Sequence, residues 1–269
     1  MDRKSQLKKE RRESREAGEE KSAASGRRLK PQNLAIVLGL AIFAGAFFYF
    51  FAQRPSNLLT LDEILRNVSH VHALSIASST SSSPSRLILG THDGMFISED
   101  EGKSWRPAPG FMGQEDVMQL AGSPDGSSFY AGGHSIAVMA SKDGGSSWVP
   151  ARGNLPGTDV HNLAAYPGNH SIAYAFVVGA GLSRTRDGGR MWDLMNRMQG
   201  QGIGALVISQ ASPDTLYATT GEGIQVSTDG GRAWQPFRNE LMGRRPFYLI
   251  EVAGSPGVLL AGKGWVRLR

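Results

Sequence analysis

Ser98-Glu99-Asp100-Glu101-Gly102-Lys103-Ser104-Trp105 recurs three times along the chain, as Ser141-Lys142-Asp143-Gly144-Gly145-Ser146-Ser147-Trp148, Thr185-Arg186-Asp187-Gly188-Gly189-Arg190-Met191-Trp192 and Ser227-Thr228-Asp229-Gly230-Gly231-Arg232-Ala233-Trp234. The shared template is Ser/Thr-x-Asp-x-Gly-x-x-Trp, and the starts lie 43, 44 and 42 residues apart. A four-point match at a constant period is the signature of a structural repeat. The chemistry is that of a turn between two strands. The aspartate accepts hydrogen bonds from the turn's own amides, and glycine takes the positive φ that the turn requires. The tryptophan then returns with the next strand and packs beneath the turn. Asp100, Asp143, Asp187 and Asp229, with Trp105, Trp148, Trp192 and Trp234, are therefore read as structural residues. The other reading, metal binding or catalysis, would need acids that converge, and these serve four separate turns.

The intervals between the octapeptides repeat in the same order. An apolar strand comes first, at Val71–Ile76, Val117–Ala121, Val160–Ala165 and Ile203–Ile208. A second strand follows a Pro/Gly turn, at Arg86–Gly90, Ser128–Ala131, Ala173–Val177 and Thr215–Ala218. A third leads into the octapeptide, at Met95–Ser98, Ala137–Ser141, Leu182–Thr185 and Ile224–Ser227. The fourth starts at the tryptophan. Short, evenly spaced strands with glycine-rich turns predict an all-β fold, and four strands per repeat predict the blades of a β-propeller. A fifth unit starts near Phe247 with Leu249–Ala253, Val258–Ala261 and Trp265–Leu268, but has no octapeptide. About five four-stranded blades are expected over 70–269. Residues 53–69 form a linker or closing segment, in which Leu58–Leu61 would supply a missing strand or Thr60 would cap a short helix. Ser78–Ser85 reads as a polar loop.

Charge and hydropathy divide the rest of the chain. Of 269 residues none is cysteine, which excludes a disulfide scaffold, a thiolate metal site and a cysteine nucleophile. The net charge of +5 resides in residues 1–31, with 11 Lys+Arg against 6 Asp+Glu; the remainder has 18 of each. The body is balanced, so no nucleic-acid partner is expected. Residues 1–33 are too polar to offset the entropy of ordering and read as a disordered tail. Leu34–Ala52 is then 19 residues without a charge, ending in Phe47-Phe48-Tyr49-Phe50-Phe51. Its length matches the hydrocarbon core of a bilayer, which predicts one transmembrane helix ahead of the propeller. A cleaved signal peptide fits less well, because the run is long and no small-x-small site follows it. The basic excess ahead of the span puts the N-terminus in the cytoplasm and the propeller outside it, on a single-pass protein of the bacterial cell membrane.

The octapeptide resembles the Asp box of BNR-repeat β-propellers, a class with sialidases, sortilin-type propellers and photosystem II assembly-factor-like proteins. His70-Val71-His72-Ala73-Leu74, Thr91-His92-Asp93-Gly94-Met95-Phe96 and Gly110-Phe111-Met112-Gly113 also resemble a bacterial group of BNR-type, glycosylhydrolase-like proteins. The resemblance covers about residues 70–269. It implies the fold and leaves the function open, since one propeller scaffold serves many functions.

Strand order sorts the side chains that carry chemistry. The connection entering the first strand of a blade and the loop between its second and third strands share one face of the disc, opposite the boxes. His70, His72 and His161 belong to the former, His92 and His134 to the latter, and Asp116 and Asp159 occupy the position that matches His70. Only His170 falls on the box side. Two readings stay open: a site for a divalent metal or an anionic ligand, or polar residues lining a wet central channel. Met118, Gly204 and Ile250 at the matching positions break any symmetric ring of ligands, and no His-Glu-x-x-His spacing occurs.

The sialidase resemblance invites a glycoside hydrolase reading of the same face. The Phe/Tyr-Arg-Ile-Pro signature is absent, and Arg244-Arg245-Pro246-Phe247-Tyr248 has the wrong order. Glu115, Asp116 and Asp159 would have to supply a pair of carboxylates, and nothing marks one as the acid. No catalytic residue and no cofactor is assigned. The expected function is a non-catalytic binding or assembly module with a protein partner or a glycan, and a glycosidase is the alternative. Pro107–Met112, Leu241-Met242 and Arg244–Phe247 are expected to add exposed apolar and basic contact groups.

Overall fold

The computed structural model describes residues 58–77, 86–111, 115–198, 202–237 and 248–262. The basic tail, the span Leu34–Ala52, the loop Ser78–Ser85, Met112, the loop residues 241–247 and the strand Trp265–Leu268 lie outside them. Among the described residues no helix is long and apolar enough to cross a membrane.

Four antiparallel sheets of four strands carry the repeat. The first comprises β1 (Val71–Ala77), β2 (Arg86–Thr91), β3 (Gly94–Ser98) and β4 (Arg106–Pro107). The second comprises β5 (Asp116–Gly122), β6 (Phe129–His134), β7 (Ala137–Ser141) and β8 (Val149–Pro150). The third comprises β9 (Val160–Ala165), β10 (Ala173–Val177), β11 (Gly181–Thr185) and β12 (Asp193–Asn196). The fourth comprises β13 (Ala205–Ile208), β14 (Leu216–Thr220), β15 (Gly223–Ser227) and β16 (Gln235–Pro236). A two-stranded sheet of β17 (Tyr248–Glu251) and β18 (Leu259–Gly262) follows. Strands pair in sequence order, and β1, β5, β9, β13 and β17 pack against one another in turn. This is the arrangement of propeller blades, with the first strand of each innermost.

The core lies between sheets. Ile88, Met95 and Ile97 of the first blade meet Val117, Phe129 and Trp148 of the second. Tyr130 and Val138 meet Val160, Leu163 and Trp192 of the third. Leu182 and Phe176 meet Leu206 and Leu216 of the fourth. The second and third strands of the four-stranded sheets are mostly buried on both faces and read as nearly continuous apolar runs, such as Ala173–Val177, in which every residue is buried. Polar ties add to this. The Tyr130 hydroxyl donates to the His170 carbonyl at 2.9 Å, the Tyr174 hydroxyl donates to the Pro213 carbonyl at 2.9 Å, and Arg86 donates to the Gly144 carbonyl at 2.6 Å.

The four octapeptides form the expected turns. In the second, Asp143 Oδ1 accepts from the Ser141 hydroxyl and the Ser147 amide, both at 2.8 Å. The Ser141 hydroxyl oxygen accepts from the Gly145 amide at 2.8 Å, so the leading Ser/Thr is as much a part of the turn as the acid. Gly102, Gly145, Gly189 and Gly231 have φ between 84° and 88°. Trp105, Trp148 and Trp234 donate through Nε1 to the carbonyl of that same glycine, whereas Trp192 donates to Ala151 of the preceding blade at 2.9 Å. The tryptophan precedes the fourth strand in every blade rather than starting it.

The side-chain hydrogen bond from Ser104 holds the Asp100 carboxyl at about 2, and that from Ser147 does the same for Asp143. A depressed carboxyl contributes stability that is complete above its unfolded value near 4 and lost as pH falls through its folded value. Acid unfolding should therefore concentrate between about pH 4 and pH 2, and a melting temperature that is flat over that window would show that the turns contribute nothing.

One box departs from the others in its backbone. Gly144, Gly188 and Gly230 have φ of 66°, 78° and 75°, and Glu101 occupies the same position at 63°. A Cβ is strained in that region. Glu101→Gly is expected to stabilise the protein by about 0.5–1 kcal/mol, the relief of strain exceeding the added chain entropy. A lowered urea midpoint would contradict this.

One open choice is decided and one expectation changes. Of the two alternatives for the segment before the first blade, the helix forms, as α1 (Leu61–Asn67), with Thr60 at its N-cap. Thr60 Oγ1 accepts from the Glu63 amide and Glu63 Oε2 accepts from the Thr60 amide, a capping box that outweighs the strand propensity of Leu58–Leu61. Leu59 pairs with Trp105 in the first blade through two backbone hydrogen bonds, and Ile64 is buried against Leu89 and Trp105. The segment thus covers the first blade rather than completing the fifth. Leu74 and Ile76 at one end of the series, and Ile250 and Leu260 at the other, remain more than half exposed. Phe111, expected as an exposed contact group, is instead buried edge-on to Trp148, with ring centroids 5.8 Å apart. The turn Pro107–Gly110 directs it inward, where it fills the space between the first two blades.

Candidate functional site

A β-bulge opens the innermost strand of three successive blades. The β1–β2 register skips His72, the β5–β6 register skips Met118, and the β9–β10 register skips His161. A bulge leaves the extra residue unpaired and re-aims its side chain. The same device therefore presents His72 and His161 at matching points. Asp116 opens β5 directly opposite His134, the last residue of β6. His92 lies in the β2–β3 turn, where its amide donates to the His70 carbonyl at 3.0 Å. That turn is fastened by Thr91 Oγ1, which donates to the Gly94 carbonyl and accepts from the Asp93 amide. Asp159 precedes β9, and its carbonyl accepts from the Val178 amide at 2.9 Å.

These positions bring His72, His92, His134 and His161 and both acids into one continuous row. Asp116 Oδ2 lies 2.8 Å from His92 Nδ1 and 3.6 Å from His134 Nε2, and its Oδ1 lies 3.2 Å from His72 Nε2. Asp159 Oδ1 lies 2.7 Å from His134 Nδ1 and 3.1 Å from His161 Nε2. The His134 ring therefore sits between the two carboxylates, edge-on to His161 with centroids 4.7 Å apart. His70 stands outside the row, stacked on His72 with ring centroids 6.1 Å apart and edge-on to His92 at 6.3 Å.

The Asp116 side chain is only 9 % exposed, while His92 is half exposed. Asp116 Oδ1, Asp159 Oδ1 and His161 Nε2 are buried and have no hydrogen bond of acceptable direction, despite the short separations. Burial pushes the His72 imidazole below its ordinary value. The Asp116 charge opposes that shift, and His70, His92 and His134 reinforce it. His170 is elsewhere, stacked on Tyr130 with centroids 4.9 Å apart and lowered by burial. Beside the row a cavity of about 600 Å³ opens among His161, Phe176, Val178, Arg197 and Ile203. The matching loop position in the third blade is Val178, so the polar character of the row ends there.

Among the described residues the four box aspartates do not join this row; each accepts from its own turn. The innermost strands of blades two to five bound a second cavity, whose lining includes Leu120, Leu163, Leu206 and Leu249. Gln119, Gln210 and Glu251 also line it, so polar groups near the inner strands are not confined to the histidine row. Sequence order placed the seven residues on one face. It gave no sign of the bulges or of the bridging position of His134, because both depend on register.

Repeated four-stranded sheets, each with an Asp box between its third and fourth strands, make the described region a BNR-type β-propeller fold. No family model and no curated protein matches the sequence. Among solved structures, the chain is similar to the GH74 xyloglucanase from Xanthomonas campestris, with a TM-score of 0.50 and 18% identity over 66% of this chain and 34% of that one. It is also similar to the GH74 enzyme from Niastella koreensis, with a TM-score of 0.49 and 21% identity over 65% and 30% of the two chains. For YCF48 bound to D1 peptide the TM-score is 0.48, with 18% identity over 66% and 61%. The chain spans about a quarter to a third of the GH74 chains. At these identities the likeness is one of fold.

Proposed function

We propose that the protein is a non-catalytic binding or assembly module: a propeller of about five blades, held outside the cytoplasm of a bacterium by a membrane anchor at Leu34–Ala52, that engages a partner protein through the histidine row. The observation that carries this reading is the convergence of His72, His92, His134, His161, Asp116 and Asp159 from three blades on one face, while the box acids are consumed in turns. Both acids in the row lie against imidazoles, which ill suits the pair of unlike carboxyls, one held protonated, that glycoside hydrolysis needs.

The test has two arms. Protease added to intact spheroplasts should digest the propeller and spare the N-terminal tail; a protected propeller would overturn the orientation. Affinity capture of the intact protein from membranes should yield a partner that a His92→Ala/His134→Ala variant fails to retain. Retention by the variant would move the contact elsewhere. Turnover of xyloglucan or a sialoside by the purified protein would replace the binding reading with the glycosidase one, and capture of a polysaccharide alone would make the partner a glycan.

A further inference from the structure

Two groups within the row each offer two imidazole nitrogens and one carboxylate oxygen, mutually within 4.8 Å: His72, His92 and Asp116, and His134, His161 and Asp159. We propose that each group binds one divalent transition-metal ion of the zinc and copper class. The proposal rests on the reading of the histidine row as a binding face and names what that face holds.

Separation and direction both point to a shared ion. Two ligands bonded to a tetrahedral ion at about 2.0–2.1 Å lie about 3.3 Å apart. His72 Nε2 and Asp116 Oδ1 are 3.2 Å apart, and His161 Nε2 and Asp159 Oδ1 are 3.1 Å apart. Neither pair is aligned as a hydrogen bond, and Asp116 Oδ1, Asp159 Oδ1 and His161 Nε2 accept or donate no other hydrogen bond, although Asp159 Oδ1 also lies 2.7 Å from His134 Nδ1. Asp116 is more than nine-tenths buried, so an unsatisfied oxygen there is costly. Lone pairs that converge on a common point, rather than on each other, are what a bound cation would satisfy. His92 Nδ1 and Asp116 Oδ2, at 2.8 Å, are joined by a hydrogen bond, so the second oxygen of Asp116 steadies the imidazole that lies beside it.

The donor set selects the metal. Imidazole suits zinc, copper and nickel; calcium and magnesium prefer all-oxygen shells, and with no cysteine in the chain a thiolate site is excluded. Two histidines and one carboxylate leave a fourth position open for water or a partner's side chain. With neutral imidazoles, each group has one negative charge against a dication, so the site is not saturated. His134 links the two groups. When its Nδ1 coordinates beside Asp159, its Nε2–H faces Asp116 Oδ2 at 3.6 Å, the type of carboxylate contact that orients metal-bound imidazoles. His70, stacked outside both groups, is not a ligand.

Calorimetric titration of zinc into the full-length, chelator-treated protein in detergent tests this. The expected result is two ions per chain in the wild type and in His70→Ala. His72→Ala/His92→Ala and His134→Ala/His161→Ala should each lose one ion. Circular dichroism and melting curves establish that each variant is folded; if a double variant melts early, single His92→Gln and His161→Gln variants serve in its place and should weaken one site at least about tenfold. No zinc binding by the wild type, or wild-type stoichiometry in the histidine variants, overturns the proposal. Loss of zinc binding with partner capture still dependent on His92 and His134 would sink the metal and leave the binding face. Zinc bound as expected, with no partner retained, would sink the assembly reading and leave the metal.

Discussion

Trp148→Ala is expected to destabilise the protein by about 3–5 kcal/mol. Trp148 is 7 % exposed and lies between two blades, edge-on to Phe111 at 5.8 Å and tilted against Phe129 at 6.5 Å. Its Nε1 donates to the Gly145 carbonyl at 3.0 Å, so truncation removes the packing and also leaves a buried carbonyl unpaired. Phe111 cannot follow the missing ring, because its own turn is held by the Phe111 amide donating to the Ala108 carbonyl. Trp234, half-buried beside the fourth blade, should cost distinctly less when replaced by alanine. Urea titrations and thermal melts of the full chain read both changes. For a domain of this size the Trp148 loss corresponds to a melting temperature lower by about 10 °C. Equal losses at Trp148 and Trp234 would mean that the boxes act locally, each on its own turn, and not as fillers between sheets.

The fold was legible because its cause is local. Each box folds through contacts within four residues, from Ser141 to Gly145 or from Asp143 to Ser147, so the pattern survives in the sequence as a fixed string. The alternation of apolar strands and Pro/Gly turns is equally local, and it located the ends of the described strands to within about two residues, except at β6, which runs to His134 rather than Ala131. What was not legible depends on distant neighbours. Phe111 sits in a Pro/Gly-rich loop that reads as surface, yet the second blade supplies Trp148 to cover it. The Leu58–Leu61 segment reads equally as a strand or as the start of a helix capped by Thr60, and the pocket for Ile64 against Leu89, together with the Thr60–Glu63 capping box, decides for the helix. The candidate site lies between these cases. Strand order placed its seven residues on one face. Which of them touch was set by three bulges and by the pairing of Asp116 with His134, neither of which leaves a mark in composition or spacing. His70 shows the limit: it belongs to the right loop but stands one ring outside the row.

The bulge in the second blade also makes the site sensitive to a residue with no side chain. Gly133 faces Val117 in the β5–β6 register, one position from the Asp116–His134 pair. A Cβ at Gly133 would stand 1.8 Å from the Asp116 carbonyl oxygen, 2.9 Å from its carbonyl carbon and 3.0 Å from the Met118 amide nitrogen. All three are backbone atoms, so no rotamer change relieves the clash, and β5 must move away from β6. Gly133→Ala is therefore expected to cost about 3 kcal/mol, at the upper end for added bulk in a packed interior. The displacement acts first on Asp116, the acid at the centre of the row, and should break its contacts with His92 and His134 together. A folded Gly133→Ala protein should accordingly behave at the histidine face like a variant lacking Asp116, retaining neither ion nor partner at His72 and His92. Gly221→Ala is the control. It lies in the β14–β15 turn of the fourth blade, its φ is not in the left-handed region, and an added Cβ meets nothing within 4 Å. That substitution should leave stability unchanged or raise it by a few tenths of a kcal/mol, about what reduced chain entropy supplies. Parallel melts of the two variants decide the matter. If Gly133→Ala melts with Gly221→Ala, β5 is free to shift without strain, and the bulge does not fix the position of Asp116.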